Sequence, residues 1–258
     1  MKLGFGLYRH MLRKEYYDFA RQCGCTHVVV HLVDYVNQSG AAGKDNQPVG
    51  GQAGWGMAGN SDDLWTEQSL VNLKKEINRA GLQWEAIENF DPAHWYDILL
   101  DGPKKKSQIE FLKQIIRNVG RAGIPIIGYN FSLAGVCSRT TGGYARGSAV
   151  SVGMDGVDES PIPNGMVWNM VYDTQAPPGY MPRISHAELW ERVAFFLQEL
   201  IPVAENEGVK LAAHPDDPPM PFVRQAPRLV YQPSMYQQLL DLVPSPSNAL
   251  EFCLGSIA

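Results

Sequence analysis

The stretch Ala213-His214-Pro215-Asp216-Asp217-Pro218-Pro219 decides the fold. It follows an apolar run, Val209 to Ala213, that reads as a strand, and its three prolines forbid a continuing helix. A histidine and two carboxylates therefore stand where a strand ends. Two readings fit: a strand-end active site, or a histidine beside an acidic surface turn.

Working outward, the same unit recurs. Lys2–Leu7, Thr26–Leu32, Leu82–Glu88, Ile124–Phe131 and Asn248–Cys253 read as further strands. Between them, helical spacing is found at Leu12–Cys23, from about Thr66 to Gly81, from Ser107 to Gly123, from Ser185 to Gly208 and at Ser234–Val243. Ser107-Gln108-Ile109-Glu110 and Ser185-His186-Ala187-Glu188 both have capping-box spacing. Two long segments break the rhythm, about 34–63 and 132–184. Both are expected to be loops over a binding site, with Trp55 and Met57 as candidate substrate covers.

Alternating strands and helices imply a parallel sheet, doubly wound or closed as a barrel. No Gly-x-Gly-x-x-Gly follows the first strand, where a dinucleotide-binding fold would place it. The expectation is thus a single α/β domain over 1–258, of TIM-barrel type, with about six of eight β/α units present. A barrel carries its chemistry at the C-terminal ends of its strands, and those ends here hold His31, Glu88, Asn130, His214 and Cys253. Some of these are open to another reading. His31 and Asn130 also fit polar caps on strand ends, and Cys253 also fits a core thiol. His27, His94 and His186 are given no chemistry.

Composition sets outer limits. Of 258 residues, 45% are hydrophobic and 19% charged, enough for a large core. The net charge of -5 is dispersed, which argues against nucleic acid as a partner; Lys104–Lys106 reads as a solvated run. No apolar run approaches the ~20 residues of a membrane span, and no signal-peptide pattern opens the chain, so a cytoplasmic protein with no membrane partner is expected. Four cysteines without paired spacing predict reduced thiols.

His214-Pro-Asp-Asp-Pro-Pro219 together with Leu250-Glu-Phe-Cys253-Leu-Gly255 resembles the mannonate dehydratase family, a metal-dependent branch of the xylose-isomerase-like barrels. Further matching stretches are the start ending in Tyr8, Ile115-Ile-Arg-Asn-Val-Gly120, Ala122-Gly-Ile-Pro125, Tyr129-Asn-Phe131 and Ser138-Arg-Thr140. The resemblance implies dehydration of D-mannonate to 2-keto-3-deoxy-D-gluconate, with His214 and Cys253 as two ligands of a divalent manganese or iron(II) ion. It also implies a second His and an Asp as ligands from later strands, which this sequence does not contain; the expectation is a fragment of a longer protein, or a barrel completed by something else, and the chain by itself is expected to be able to lack activity. For a small sugar acid as substrate, the expected contacts are His31, Glu88, Asn130, Arg139, Asp216 and Asp217, with Arg139 on the substrate carboxylate. Asp216 and Asp217 fit equally as turn caps or as groups that orient His214. An isomerase or epimerase of the same superfamily and a non-catalytic metal- or sugar-binding module are the alternatives. A homo-oligomer is expected, because the first and last of six strands would leave open edges.

Overall fold

The computed structural model describes residues 1–35, 56–59, 61–154 and 156–257. Most of the expected loop at 34–63, including Trp55, lies outside the described residues.

Six strands form one parallel sheet: β1 (Gly4–Leu7), β2 (His27–Val30), β3 (Gln83–Glu88), β4 (Ile126–Tyr129), β5 (Lys210–Ala213) and β6 (Asn248–Leu250). Their order in space is their order in sequence, and every pairing is parallel. A doubly wound sheet reverses its order at a switch point. None occurs here, so the sheet winds one way, as a barrel wall does.

Helices α1 (Lys14–Gln22), α2 (Glu67–Arg79), α3 (Lys105–Arg121), α4 (His186–Glu207) and α5 (Met235–Leu242) cross between strands. Each buries one stripe. In α3 the stripe is Leu112, Ile115, Ile116 and Val119; in α4 it is Leu189, Val193, Leu197, Leu200 and Ala204. That spacing covers one face of a 3.6-residue helix and leaves the charged face to solvent.

The two capping boxes part company. At α4 both halves form, Ser185 accepting from the Glu188 N–H and Glu188 accepting from the Ser185 N–H. Ser107 caps nothing. Helix α3 already begins at Lys105, so Ser107 sits inside the first turn and donates to the Lys104 carbonyl at 2.9 Å. Asp97 takes over part of the N-terminal role by accepting from the Lys104 N–H at 2.8 Å.

The 132–184 segment contains two hairpins, Arg139–Gly142 with Ser151–Met154, and Met166–Val167 with Met170–Val171. The second turns through Trp168 and Asn169, both at positive φ (52° and 59°), the conformation a two-residue type I′ turn demands. Neither residue is glycine. The turn costs some backbone strain and delivers the Trp168 ring against Tyr35 near the strand ends, with ring centroids 5.6 Å apart.

Candidate active site at the strand ends

The register explains how two carboxyls fit at this end of the sheet. Glu88 at the end of β3 lies level with Gly128 of β4, which lies level with Ala212 of β5 and Ala249 of β6. Three neighbours with little or no side chain leave room on that row. Glu88 fills the room together with Glu251, one residue beyond β6: a Cβ built on Gly128 would meet their Oε2 atoms at 2.9 and 3.0 Å. A side chain at 128 would push against the ends of these two carboxyls.

Two carboxyls hydrogen-bonded to each other must share a proton. Burial pushes Glu88 well above the usual carboxylate range, and the adjacent Glu251 charge pushes it further. Glu251 is also raised by burial, while His214 and the hydrogen bond from Glu88 pull it down. The arrangement that satisfies both is a protonated Glu88 donating to an ionised Glu251.

On the β1–β2 side the walls are aromatic. Tyr8 stacks on His31 with centroids 4.6 Å apart, and Tyr35 meets His31 edge-on at 5.8 Å. His31 Nδ1 is buried with no hydrogen-bond partner among the described residues, and burial lowers the ring's pKa to about 4. His31 is therefore neutral at pH 7. Burial raises the Tyr35 hydroxyl well above its ordinary value.

On the β4–β5 side the groups are charged and paired. His214 Nδ1 lies 2.6 Å from the Pro215 carbonyl oxygen, a separation that calls for an Nδ1–H donor and leaves the Nε2 lone pair open. Asn130 Nδ2 donates to the same carbonyl at 3.4 Å. Asp216 is almost fully buried: Oδ1 accepts from Arg228 at 2.9 Å, and Oδ2 accepts from the N–H groups of Leu229 and Val230 at 2.9 and 2.8 Å. Asp217 Oδ2 accepts from Arg139 Nη2 at 2.6 Å.

Of the residues singled out from sequence, His31, Glu88, Asn130 and His214 come together at the strand ends. Arg139 and Asp217 form an ion pair at the rim, and Asp216 is occupied by Arg228 and backbone N–H groups. Cys253 lies beyond β6, its sulfur accepting from Ser256 Oγ at 3.2 Å. Sequence reasoning passed over Glu251, Arg228, Tyr8, Tyr35 and Trp168. Glu251 had a visible signal, since it stands two residues before Cys253 and so shares its side of an extended strand.

Among the described residues no group of three or more His, Cys, Asp or Glu side chains is gathered to hold an ion. The donors that fit one in type are His214, whose Nε2 is left open, and the thiol of Cys253; this nitrogen and sulfur pair suits a transition metal better than magnesium. Two cavities lie away from the strand ends. One of about 490 Å³ runs between Asp158, Arg183 and Phe222, and one of about 330 Å³ lies beside His94 and Phe111. No described helix is long and apolar enough to cross a membrane.

Comparison with known proteins meets this geometry. A sequence profile of the D-mannonate dehydratase (UxuA) family matches residues 30–258. Mannonate dehydratase of Streptococcus equi subsp. zooepidemicus is 32% identical over 205 residues, 75% of this chain and 56% of the relative. Mannonate dehydratase 2 of Halalkalibacterium halodurans is 31% identical over 204 residues, again 75% of this chain and 58% of the relative. The chain thus spans little more than half the length of these curated relatives. The crystal structure of mannonate dehydratase from Streptococcus suis serotype 2 superposes with a TM-score of 0.70 at 27% identity, covering 99% of this chain and 63% of that one. A D-psicose 3-epimerase, at 10% identity and a TM-score of 0.52, shares the fold alone. With a profile match over most of its length, the chain belongs to the D-mannonate dehydratase family.

Proposed function

We propose that this chain forms the β1–β6 part of a metal-dependent D-mannonate dehydratase, giving 2-keto-3-deoxy-D-gluconate. The observation that carries the reading is the family match over residues 30–258, which takes in every strand end from β2 to β6. His214 through Nε2 and Cys253 through its thiolate are the protein donors to a divalent manganese or iron(II) ion. Such an ion supplies Lewis-acid stabilisation of the negative charge that develops next to the sugar-acid carboxylate.

The chain's own groups supply the rest. Loss of water across C2 and C3 removes the C2 proton and expels the C3 hydroxyl, which needs a proton to leave as water. Glu88, protonated against Glu251, holds a proton at the strand ends. Neutral His31 and Asn130 offer hydrogen bonds to substrate hydroxyls without adding charge. Arg139 stands at the rim for the substrate carboxylate while Asp217 fixes its orientation. Asp216 is assigned to holding the turn.

The test is to incubate the full chain with D-mannonate and manganese or iron(II) and to follow formation of the 2-keto-3-deoxy acid. Water loss in the wild type and a fall on the order of 100-fold in His214→Ala support the proposal, since even outer partners of metal ligands cost about 10–100-fold. Unchanged turnover in His214→Ala overturns it. Interconversion of mannonate with an isomer points to the epimerase chemistry of other barrels, and binding without turnover at saturating manganese points to a binding module.

A further inference from the structure

We infer that Arg228, which has no assigned role, is a positioning residue that sets the tautomer of His214 through the turn between them. The inference rests on the proposed function only for what His214 does; its geometry stands independently. Arg228 is 1% exposed, among the largest fully buried side chains. Its guanidinium bridges two loops. Nη1 donates to Ser132 Oγ at 2.7 Å and Asp216 Oδ1 at 2.9 Å, and Nη2 donates to the carbonyls of Gly135 and Asp217 at 3.2 Å each.

Ser132 and Gly135 belong to the loop after β4, and Asp216 and Asp217 to the turn after β5. One side chain thus ties together the segments that follow the strand ends of Asn130 and His214. Between His214 and the tied Asp216 lies Pro215, whose carbonyl oxygen faces His214 Nδ1 at 2.6 Å and Asn130 Nδ2 at 3.4 Å. If the turn rotates, that carbonyl leaves the imidazole, and among the described residues the ring makes no other hydrogen bond to select Nδ1–H over Nε2–H.

Energetics favour a positioning role over simple stabilisation. A buried ion pair gains little over apolar packing of the same volume, because two charges must be desolvated. What a planar, five-donor fork supplies and a hydrophobic side chain cannot is fixed direction toward four acceptors at once. Lysine keeps the charge but not the fork.

The experiment reads the tautomer directly and needs neither metal nor turnover. The full chain, labelled with ¹⁵N at the histidine rings and kept metal-free at about pH 8.5, where an ordinary imidazole is neutral, gives ring nitrogen shifts and two-bond couplings that distinguish the tautomers. The signals of residue 214 are assigned by their disappearance in His214→Gln. In the wild type Nδ1–H is expected to exceed the alternative by at least about tenfold, as the bond to Pro215 demands. In the double variant Arg228→Met with Asp216→Asn, which buries no unpaired charge, the ratio falls below about threefold while the chain still melts cooperatively.

A folded double variant with the wild-type ratio overturns the proposal, since Arg228 would then hold structure only. Should the double variant fail to fold, Arg228→Lys decides in the same terms: a reduced ratio supports positioning and an unchanged ratio overturns it. Absence of mannonate turnover would count against the proposed function and leave this result intact.

Discussion

The two sides of the strand-end site are built on opposite principles. Around β1–β3, Tyr8, His31, Tyr35 and Glu88 lie among rings and one another, and burial drives His31 and Glu88 toward their neutral forms. Around β4–β5, Asp216 is paired with Arg228 and Asp217 with Arg139, each within hydrogen-bonding distance. The contrast separates tasks. Under the proposed function, neutral groups on one wall would meet hydroxyls and hold a proton, while the paired side chains on the other fix the turn that follows His214.

The sharpest way to break the comparison is to strip the charged side of one partner. Asp216→Ala leaves Arg228 buried and uncompensated and frees two backbone N–H groups, so chemical denaturation should show a loss of about 3–5 kcal/mol. A loss under 1 kcal/mol, on the order of a surface ion pair, would mean that water reaches this pair.

The neutral side should reveal itself through pH. The folded pKa of His31, about 4, lies below the ordinary 6.5, so its contribution is present in full above pH 6.5 and is lost as pH falls toward 4. Relative to His31→Phe, which keeps a ring on Tyr8 but cannot titrate, the wild type should lose stability across that window, by at most about 3 kcal/mol. Parallel stability curves for the two proteins would contradict a buried neutral imidazole.

Glu88 runs the other way. A carboxyl raised in the folded state binds more protons folded than unfolded, so its contribution is complete below the unfolded value of about 4.3 and declines as pH rises through the folded pKa. Glu88→Gln should flatten that decline, by up to about 1.4 kcal/mol per pH unit for the single shared proton. Ser185→Ala, remote from both walls, should cost about 1 kcal/mol through its capping box and alter neither pH response.

Much of this was legible from sequence because it is periodic. The six strands, the helix stripes and the Gly-terminated units follow from hydrophobic spacing, and one-way winding was expected from the missing glycine fingerprint. Strand ends then located His31, Glu88, Asn130 and His214 by position alone. What stayed hidden depends on register and on distant partners. Gly128 reads as an ordinary strand glycine until β3, β4 and β6 are aligned, and only then do Glu88 and Glu251 become a pair. Arg228 lies in an irregular connector, and its acceptors at 132 and 135 are about 100 residues away in sequence. Ser107 shows the converse: a correct local spacing lost to a helix that starts two residues earlier.

The central claim is that His214 and Cys253 donate to one divalent ion at the strand ends. Titration of the metal-free chain with cobalt(II), followed by near-ultraviolet and visible absorption, tests it most directly, because thiolate ligation gives a charge-transfer band that nitrogen and oxygen ligands do not. The band should appear in the wild type, vanish in Cys253→Ser and weaken in His214→Ala. A wild type without the band, or a Cys253→Ser variant with the same spectrum, would contradict it.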